Sequence, residues 1–358
     1  MIDLGLFMMP LHPPEKNRTQ CFEEDIEIVV LADKLGFKEA WVGQHNTLGW
    51  EPIPSNDVFI ANVLPRTQNI RLGAGVSLIP HHHPVNIALR QAFLDHLSRG
   101  RINCSFGQSG VPTDWTLYDL PEPRIQGLMT VEGIDLILKL WQSEAPFDFK
   151  GKYWHVSVNE TNPKLGIGNT LKPYQKPHPP IGMSIIKGDS MAARMAGQRG
   201  YMPLSTNLVP SVTVKQHWDT YCTGAEEAGK RVPDRSIWRI SRSIFVGETN
   251  KEALDFAKNS QFTRSFEYLI TLLKSAQMLH LMKHDPDVPD QDVTPDYLLK
   301  HLCIVGDVNE CIRQLEDLWE ITGGFGTLMM IAYDWDDKPK WLNSMELLTK
   351  EVLPSLPK

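Results

Sequence analysis

The stretch "NIRLGAGVSLIPHHHPVNIALRQAFLDHLSRGRINCSFG", residues 69–107, decides the fold class. Its residue pattern predicts a strand over 69–79, a helix over 86–100 and a second strand over 101–107. Gly100 stands where a helix C-terminus favours glycine, so it marks the end of the helix. A strand, a helix and a strand in direct succession predict two parallel strands joined by a right-handed crossover.

The same alternation extends over the whole chain. Further strands are predicted over 2–9, 39–43, 180–186, 201–205, 238–247 and 325–331, and further helices over 22–37, 58–67, 126–142, 189–199, 211–229, from 251 onward and over 308–322. About eight strand–helix units in a chain of this length predict an α/β fold, a (β/α)8 TIM barrel with insertions. We expect residues 1–358 to form one domain. Periodicity alone leaves a doubly wound open sheet as the alternative.

Two segments depart from the alternation and are predicted to be insertions. Residues 143–180 carry the turn signals "FKGKYWH" and "PYQKPHPP", which indicate a small hairpin. Residues 262–303 are predicted to be mostly helical. The second insertion has two interpretations, a lid over the carboxyl ends of the strands or an extra helix packed on the barrel wall.

Composition and charge exclude several classes of protein. The net charge is -7 and no Lys/Arg cluster is present, so no nucleic-acid partner is expected. The first 17 residues lack a basic segment and a long apolar run, which argues against a signal peptide or membrane span. Five cysteines without CxxC spacing indicate free thiols in a cytoplasmic protein.

Three consecutive histidines, His81–His83, raise the question of a metal site. Metal-binding histidines usually lie at i and i+4 on a helix or on separate strands, where their rings converge. Consecutive residues of an extended loop point in alternating directions, and no carboxylate or cysteine cluster lies nearby. The helical pair His280 and His284 has no third ligand beside it. We therefore expect no metal at either place.

Several motifs, taken together, resemble the bacterial-luciferase-like family of flavin-dependent monooxygenases. They are the "LIPHHHP" turn, the "LDHLSRGR" helix end, the glycine-rich turn at 107–110, the strand end "WVGQHN" and the turn "KGDS". The segments "GQHNTLGWEPIPS" (43–55) and "TPDYLLKHLCIVGDVNECIRQLEDLWEITGGFG" (294–326) are similar to the diketocamphane- and limonene-monooxygenase-like branch. The resemblance covers almost the entire chain.

The resemblance implies a two-component enzyme that uses reduced FMN (FMNH2) and O2. Through a C4a-peroxyflavin, such an enzyme inserts one oxygen atom into an apolar ketone, alkene or aldehyde of terpenoid type. The chain has no GxGxxG after its first strand, so a separate NAD(P)H-dependent flavin reductase is expected to supply FMNH2. A homodimer is also expected. A deazaflavin-dependent oxidoreductase and a non-catalytic flavin-binding protein remain as alternatives, because one barrel hosts many chemistries.

The flavin ring needs a close approach by the backbone. The resemblance implies a cis peptide bond near Gly75–Val76, where the small residues suit that approach. Gly107 and Gln108 belong to the turn that is expected to border the flavin. Gln108 stands where bacterial luciferase has an arginine.

The flavin phosphate needs backbone N–H groups and cations. The turn of Gly188, Asp189 and Ser190 opens a predicted helix, so its N–H groups and the Ser190 hydroxyl can face an anion. Capping of that helix by Asp189 or Ser190 is the simpler interpretation. Arg124, at the start of another helix, resembles the phosphate-binding arginine of the family.

His45 is the candidate catalytic residue. It follows the predicted strand "EAWVG", at the strand end where barrel enzymes carry their chemistry. A histidine there can act as a general acid or base, or can hold the peroxide by a hydrogen bond. A loop histidine bonded to backbone is the third interpretation. Gln44 and Asn46 depart from the family, which has Glu and a second His at these places.

Overall fold

The computed structural model describes residues 2–356. Its strands are β1 Asp3–Met8, β2 Glu39–Val42, β3 Arg71–Ala74, β4 Ser77–Leu78, β5 Ile102–Gly107, β6 Phe147–Lys150, β7 His155–Val158, β8 Ile181–Ile185, β9 Met202–Ser205, β10 Arg239–Val246, β11 Cys303–Gly306 and β12 Thr327–Ile331. Its helices are α1 Arg18–Lys34, α2 Asn56–Val63, α3 Pro84–Ser98, α4 Pro112–Leu117, α5 Pro123–Gln142, α6 Met191–Arg199, α7 Ser211–Glu227, α8 Asn250–Asn259, α9 Gln261–Ser275, α10 Pro295–His301, α11 Val308–Thr322, α12 Lys338–Leu347 and α13 Leu353–Ser355.

The strand order confirms the predicted fold class. The sheet runs β12-β1-β2-β3-β5-β8-β9, and β10 pairs with both β9 and β12. The pairs β1–β12, β10–β12, β9–β10, β3–β5 and β5–β8 are parallel. This order, with a helix after each strand, is that of a (β/α)8 TIM barrel. The doubly wound open sheet is therefore excluded.

The chain divides into two compact units, whose boundaries fall inside β2 and β8. The first unit holds the residues up to Ala40, Gly49–Glu51 and the residues from Met183 onward. The second holds Trp41–Leu48 and Pro52–Gly182. The expectation of one domain stays a prediction.

The opening stretch folds as predicted, with one difference. The strand expected over 69–79 is interrupted after Ala74 and resumes as β4. At its other end, Arg99 and Gly100 both have positive φ, which ends α3. The "LDHLSRGR" segment then locks the turn into β5, because Ser98 Oγ accepts from the Arg101 N–H at 3.1 Å. Arg101 Nη1 donates to the carbonyl oxygen of Ile70 at 2.9 Å.

Both predicted insertions are present. β6 and β7 form an antiparallel hairpin, with Phe147 opposite Val158. The later insertion is helical, with α9, α10 and short 3-10 turns. Between this insertion and the helix predicted over 308–322, Cys303–Gly306 form the buried strand β11 beside β10, which the sequence pattern did not predict. In the part of the chain that the structure describes, no helix is both long and apolar enough to cross a membrane.

Candidate active site

His45 lies just past the C-terminal end of β2, as predicted from the sequence. Its backbone N–H donates to the carbonyl oxygen of Ile53 at 3.0 Å, which fixes the loop. The residue is half-buried. Its placement matches the strand end where barrel enzymes carry their chemistry.

The next residue, Asn46, contacts the first of the three histidines. Asn46 Nδ2 lies 3.2 Å from His81 Nδ1, and the ring of Tyr118 lies 4.5 Å from the His81 ring, centroid to centroid. Burial lowers the pKa of His81 to about 4, although Asp114 opposes this shift. The imidazole is therefore neutral near pH 7. His83 has a different task, since its Nδ1 accepts from the Val85 N–H and caps α3.

The segment between β3 and β4 has the backbone feature that the resemblance implied. The peptide bond between Gly75 and Val76 is cis. Asn56 Nδ2 donates to the Val76 carbonyl oxygen at 2.9 Å and holds the segment from the side of α2. A Cβ on Gly107 would lie 2.8 Å from Val76 Cγ2, so the close contact of β5 with Val76 requires glycine.

Gln108 and Arg124 lie near the same face of α5. Gln108 is exposed, and its Oε1 is 3.3 Å from the position that a Cβ on Gly127 would take. Arg124 precedes Gly127 by three residues, so the two are neighbours on the helix surface. Arg124 is exposed in the first turn of α5, which has no acidic residue, and it has no carboxylate partner within residues 2–356. A cation placed against the helix dipole in this way suits an anionic ligand.

The turn that precedes α6 belongs to the first unit. Ser190 is the N-cap of α6, and its Oγ accepts from the Ala193 N–H at 3.2 Å. Ser190 therefore caps α6, as the simpler interpretation predicted, and its hydroxyl hydrogen remains able to donate. Gly188 is buried, and a Cβ there would lie 2.0 Å from Oε1 of the exposed Gln216. A side chain at position 188 would therefore displace the side chain of Gln216 on α7.

The same turn has backbone N–H groups and one hydroxyl that can donate to an anion. Asp189 is exposed, and its carboxylate would repel a phosphate, so only its backbone N–H can contribute. The Gly188 carbonyl oxygen accepts from Thr220 Oγ1 at 2.9 Å, which fixes the orientation of the turn.

A buried ionic cluster in the first unit was missed at the sequence level. His12 Nδ1 lies 2.5 Å from Asp334 Oδ1, and His12 Nε2 lies 3.0 Å from Asp25 Oδ1. Since a carboxylate only accepts, His12 donates from both nitrogens and is protonated. Burial alone would lower the pKa of His12, but the two hydrogen-bonded carboxylates outweigh it and raise it to about 9.

The cluster also contains a set of possible metal ligands. Within the described residues, only His12, Glu24 and Asp334 bring three such atoms within 4.8 Å of one another. Lys16 Nζ lies 2.5 Å from Glu24 and 2.6 Å from Asp334. The lysine ammonium already supplies the cation that these carboxylates need, so the cluster is an ion-pair network.

The start of the second insertion packs in the core. Phe262 and Phe266 are fully buried and contact Tyr333, with ring centroids 4.6 and 6.2 Å away. Farther along α9, Tyr268 stacks on Trp50 at 5.0 Å. Tyr333 follows the carboxyl end of β12 and Trp50 lies in the loop after β2, so these contacts place α9 beside carboxyl ends of strands. Leu269, Leu272 and Leu273 are half-buried beyond it.

Comparison with known proteins agrees with this architecture. The sequence profile of the luciferase-like monooxygenases matches residues 2–324. 4-Hydroxyprotoasukamycin monooxygenase of Streptomyces nodosus subsp. asukaensis is 31% identical to this chain. The alignment covers 99% of this chain and 92% of that relative. Limonene 1,2-monooxygenase of Rhodococcus erythropolis is 29% identical, and the alignment covers 99% of this chain and 86% of that relative.

A solved structure extends the similarity to three dimensions. The oxygenating constituent of 3,6-diketocamphane monooxygenase from Pseudomonas putida, a type II Baeyer–Villiger monooxygenase in complex with FMN, matches with a TM-score of 0.92. It is 28% identical, and the match covers 100% of both chains. The chain belongs to the luciferase-like monooxygenase family, and its relatives include the diketocamphane and limonene monooxygenases that the sequence motifs indicated.

Proposed function

We propose that this chain is the oxygenase component of a two-component system that uses FMNH2 and O2. A separate NAD(P)H-dependent flavin reductase supplies the reduced flavin, and one oxygen atom enters an apolar ketone, alkene or aldehyde. The observation that carries the proposal is the full-length match to an FMN-complexed oxygenating constituent at a TM-score of 0.92. A cytoplasmic homodimer remains the expected form, and all five cysteines are free thiols.

The residues of the second unit fit the ring of FMN. Gly75 has no side chain to cover the backbone of the Gly75–Val76 step, and Gly107 lets β5 approach Val76 closely. We assign these three residues to the flavin ring, which requires flat contact with the backbone. Gln108 and Arg124, on the same side of α5, are assigned to the anionic part of the cofactor.

The turn of the first unit fits a phosphate. Ser190 has a hydroxyl that can donate, and the N–H groups of Gly188 and Asp189 lie at the start of a nine-residue helix. We assign these three residues to the FMN phosphate. When bound, reduced FMN supplies the two electrons that activate O2.

His45 is assigned to the reacting centre. Its position at the end of β2 allows it to move a proton to or from the substrate, or to hold a peroxide oxygen by a hydrogen bond. The apolar side chains near α9 are assigned to exclude water from the reacting centre. Half-buried Leu269, Leu272 and Leu273 are the side chains of α9 that suit an apolar substrate.

The test follows labelled oxygen into product. The protein is mixed with photochemically reduced FMN, 18O2 and one of a panel of terpenoid ketones, alkenes or long aldehydes, and the product is analysed by mass spectrometry. We expect incorporation of one 18O atom into at least one substrate.

Three outcomes contradict the proposal. Release of hydrogen peroxide at the rate of free FMNH2, without labelled product for any substrate, rejects the oxygenase activity. Hydride transfer from a reduced deazaflavin under anaerobic conditions, with no activity from FMNH2, identifies the chain as a deazaflavin-dependent oxidoreductase instead. Tight FMN binding with neither reaction identifies a non-catalytic flavin-binding protein.

A further inference from the structure

His81 is a buried histidine whose tautomer is set by its neighbour. The residue is 8% exposed, and Asn46 Nδ2 lies 3.2 Å from its Nδ1. An amide nitrogen can only donate, so Nδ1 of His81 must accept. The single ring proton of the neutral imidazole is therefore on Nε2.

The Nε2–H group that results has no acceptor in the protein. Nε2 is buried, and no hydrogen-bond partner for it lies within the described residues. Buried polar groups are almost always paired, so an orphaned donor calls for an acceptor from outside the chain. The ring follows β4, and its partner Asn46 follows His45 at the end of β2. Both strand ends belong to the face where barrel enzymes bind their ligands.

We propose that the Nε2–H of His81 donates a hydrogen bond to a carbonyl-type oxygen of a bound molecule, and that Asn46 is the positioning residue that fixes this tautomer. The oxygen belongs to the flavin ring or to the organic substrate, since both offer a neutral acceptor of this type. The inference rests on the proposed function and adds a second histidine to the site, with a task distinct from that of His45.

The electrostatics keep His81 a neutral donor. Burial lowers its pKa, and the nearby His45 and His82 lower it further. Asp114 is the charged group that favours the imidazolium, but Thr47 and Ser109 donate to its two carboxylate oxygens at 2.6 and 2.9 Å. Tyr118 covers the ring with its own aromatic face. His81 thus donates without taking up the proton that His45 would handle.

The first experiment measures the tautomer in the flavin-free protein. Nitrogen-15 NMR of histidine-labelled protein, assigned with a His81→Gln variant, reports which ring nitrogen carries the proton. We expect Nε2 protonated from pH 8 down to about pH 5. A proton on Nδ1, which would mean that the Asn46 amide presents its oxygen instead, overturns the inference. This measurement does not depend on any enzymatic activity.

The second experiment identifies the acceptor in the unmodified chain. Oxidised FMN is added first, followed by a substrate found with 18O2. A shift of the Nε2–H resonance on addition of FMN assigns the flavin carbonyl, and a shift only on addition of substrate assigns the substrate oxygen. No shift at saturation with both overturns the proposal.

Variants then separate donation from packing. His81→Gln retains an N–H near the position of Nε2, whereas His81→Leu retains only volume. We expect His81→Leu to weaken FMN affinity or to raise the substrate KM by about tenfold, the equivalent of 1.4 kcal/mol. His81→Gln should recover most of that loss. Equal affinity and KM in wild type and His81→Leu, while wild type still incorporates 18O, reject the inference alone. Absence of 18O incorporation in wild type rejects the proposed function and leaves the NMR result standing.

Asn46→Asp supplies a matched test of the positioning role. A carboxylate accepts from Nδ1–H, so it should move the proton to Nδ1 or protonate the ring, and it should raise the pKa of His81. We expect a displaced NMR titration. If the single proton moves to Nδ1, FMN affinity should fall or the substrate KM should rise as in His81→Leu, whereas a protonated ring keeps its Nε2–H and should bind as wild type does. An unchanged tautomer in Asn46→Asp contradicts the role of Asn46.

Discussion

The ionic cluster around His12 should make the protein less stable in alkaline solution. His12 donates to Asp25 and Asp334, and these partners hold its pKa at about 9, against 6.5 for an unperturbed histidine. Between those two values the folded protein binds one proton more than the unfolded chain. Stability that depends on such a proton is fully present below pH 6.5 and is lost as the pH rises through 9.

The magnitude follows from the size of the pKa shift. One pKa unit corresponds to 1.36 kcal/mol, so the shift from 6.5 to about 9 gives a loss of about 3 kcal/mol. The slope of the unfolding free energy in this window is about -1.4 kcal/mol per pH unit. Since the total stability of a domain is typically about 5–15 kcal/mol, such a loss is large enough to measure.

The assay is urea unfolding followed by tryptophan fluorescence at intervals from pH 6.5 to 9.5. His12→Gln should be less stable than wild type at pH 7, and between pH 6.5 and 8, below the range in which unfolded cysteines ionise, its unfolding free energy should fall less steeply with pH than that of wild type. The exposed His280 supplies the matched control, because His280→Gln removes a histidine without removing a buried ion pair. It should keep the wild-type slope. An equal slope in wild type and His12→Gln would show that His12 is not the group that titrates.

Three further predictions test the site and the packing around it. Ser190→Ala combined with Arg124→Ala should weaken FMNH2 binding at least tenfold, because charge-assisted hydrogen bonds contribute about 1.5–3 kcal/mol each. Anaerobic fluorescence titration measures the affinity, and an unchanged value would reject the phosphate assignment. His45→Ala should reduce kcat by about 10²–10⁴-fold with FMN affinity near wild type, and wild-type turnover would leave His45 an ordinary loop residue. Gly197→Ala should lower the melting temperature, because its Cβ would lie 2.0 Å from the Tyr221 carbonyl oxygen, whereas Gly110→Ala, which meets nothing within 4 Å, should not.

The fold could be predicted from the sequence because its signals are local. The spacing of apolar residues predicts most strands and helices, and the alternation of strands with helices implies parallel strand pairing. The sequence pattern missed the ten-residue helix α12 and several segments that are too short to show a period. β11 has four residues, and β3 and β4 are separated only by the Gly75–Val76 step, so periodicity joined them into one strand.

The candidate site was only partly accessible to such reasoning. The residues assigned to the flavin came from motifs that resemble a family, and the structure adds their packing: Gly188 against Gln216, and Gly107 against Val76. The pair of Asn46 and His81 could not be found, because the two residues are 35 positions apart and form a contact only in the folded chain. Asn46 was recognised only as a departure from the family.

The His12 cluster shows where the limit lies. The first and last strands of a (β/α)8 barrel are neighbours, and here β1 pairs with β12 in parallel. Residues a few positions beyond these strands must therefore lie at the same edge, although His12 and Asp334 are 322 positions apart. The fold class alone would have placed a histidine near an aspartate. It would not have given the charge, because that depends on Asp25 and Lys16, which α1 and the preceding loop bring to the same buried spot. Proximity can follow from topology, whereas a protonation state follows only from the complete set of hydrogen-bond partners and their burial.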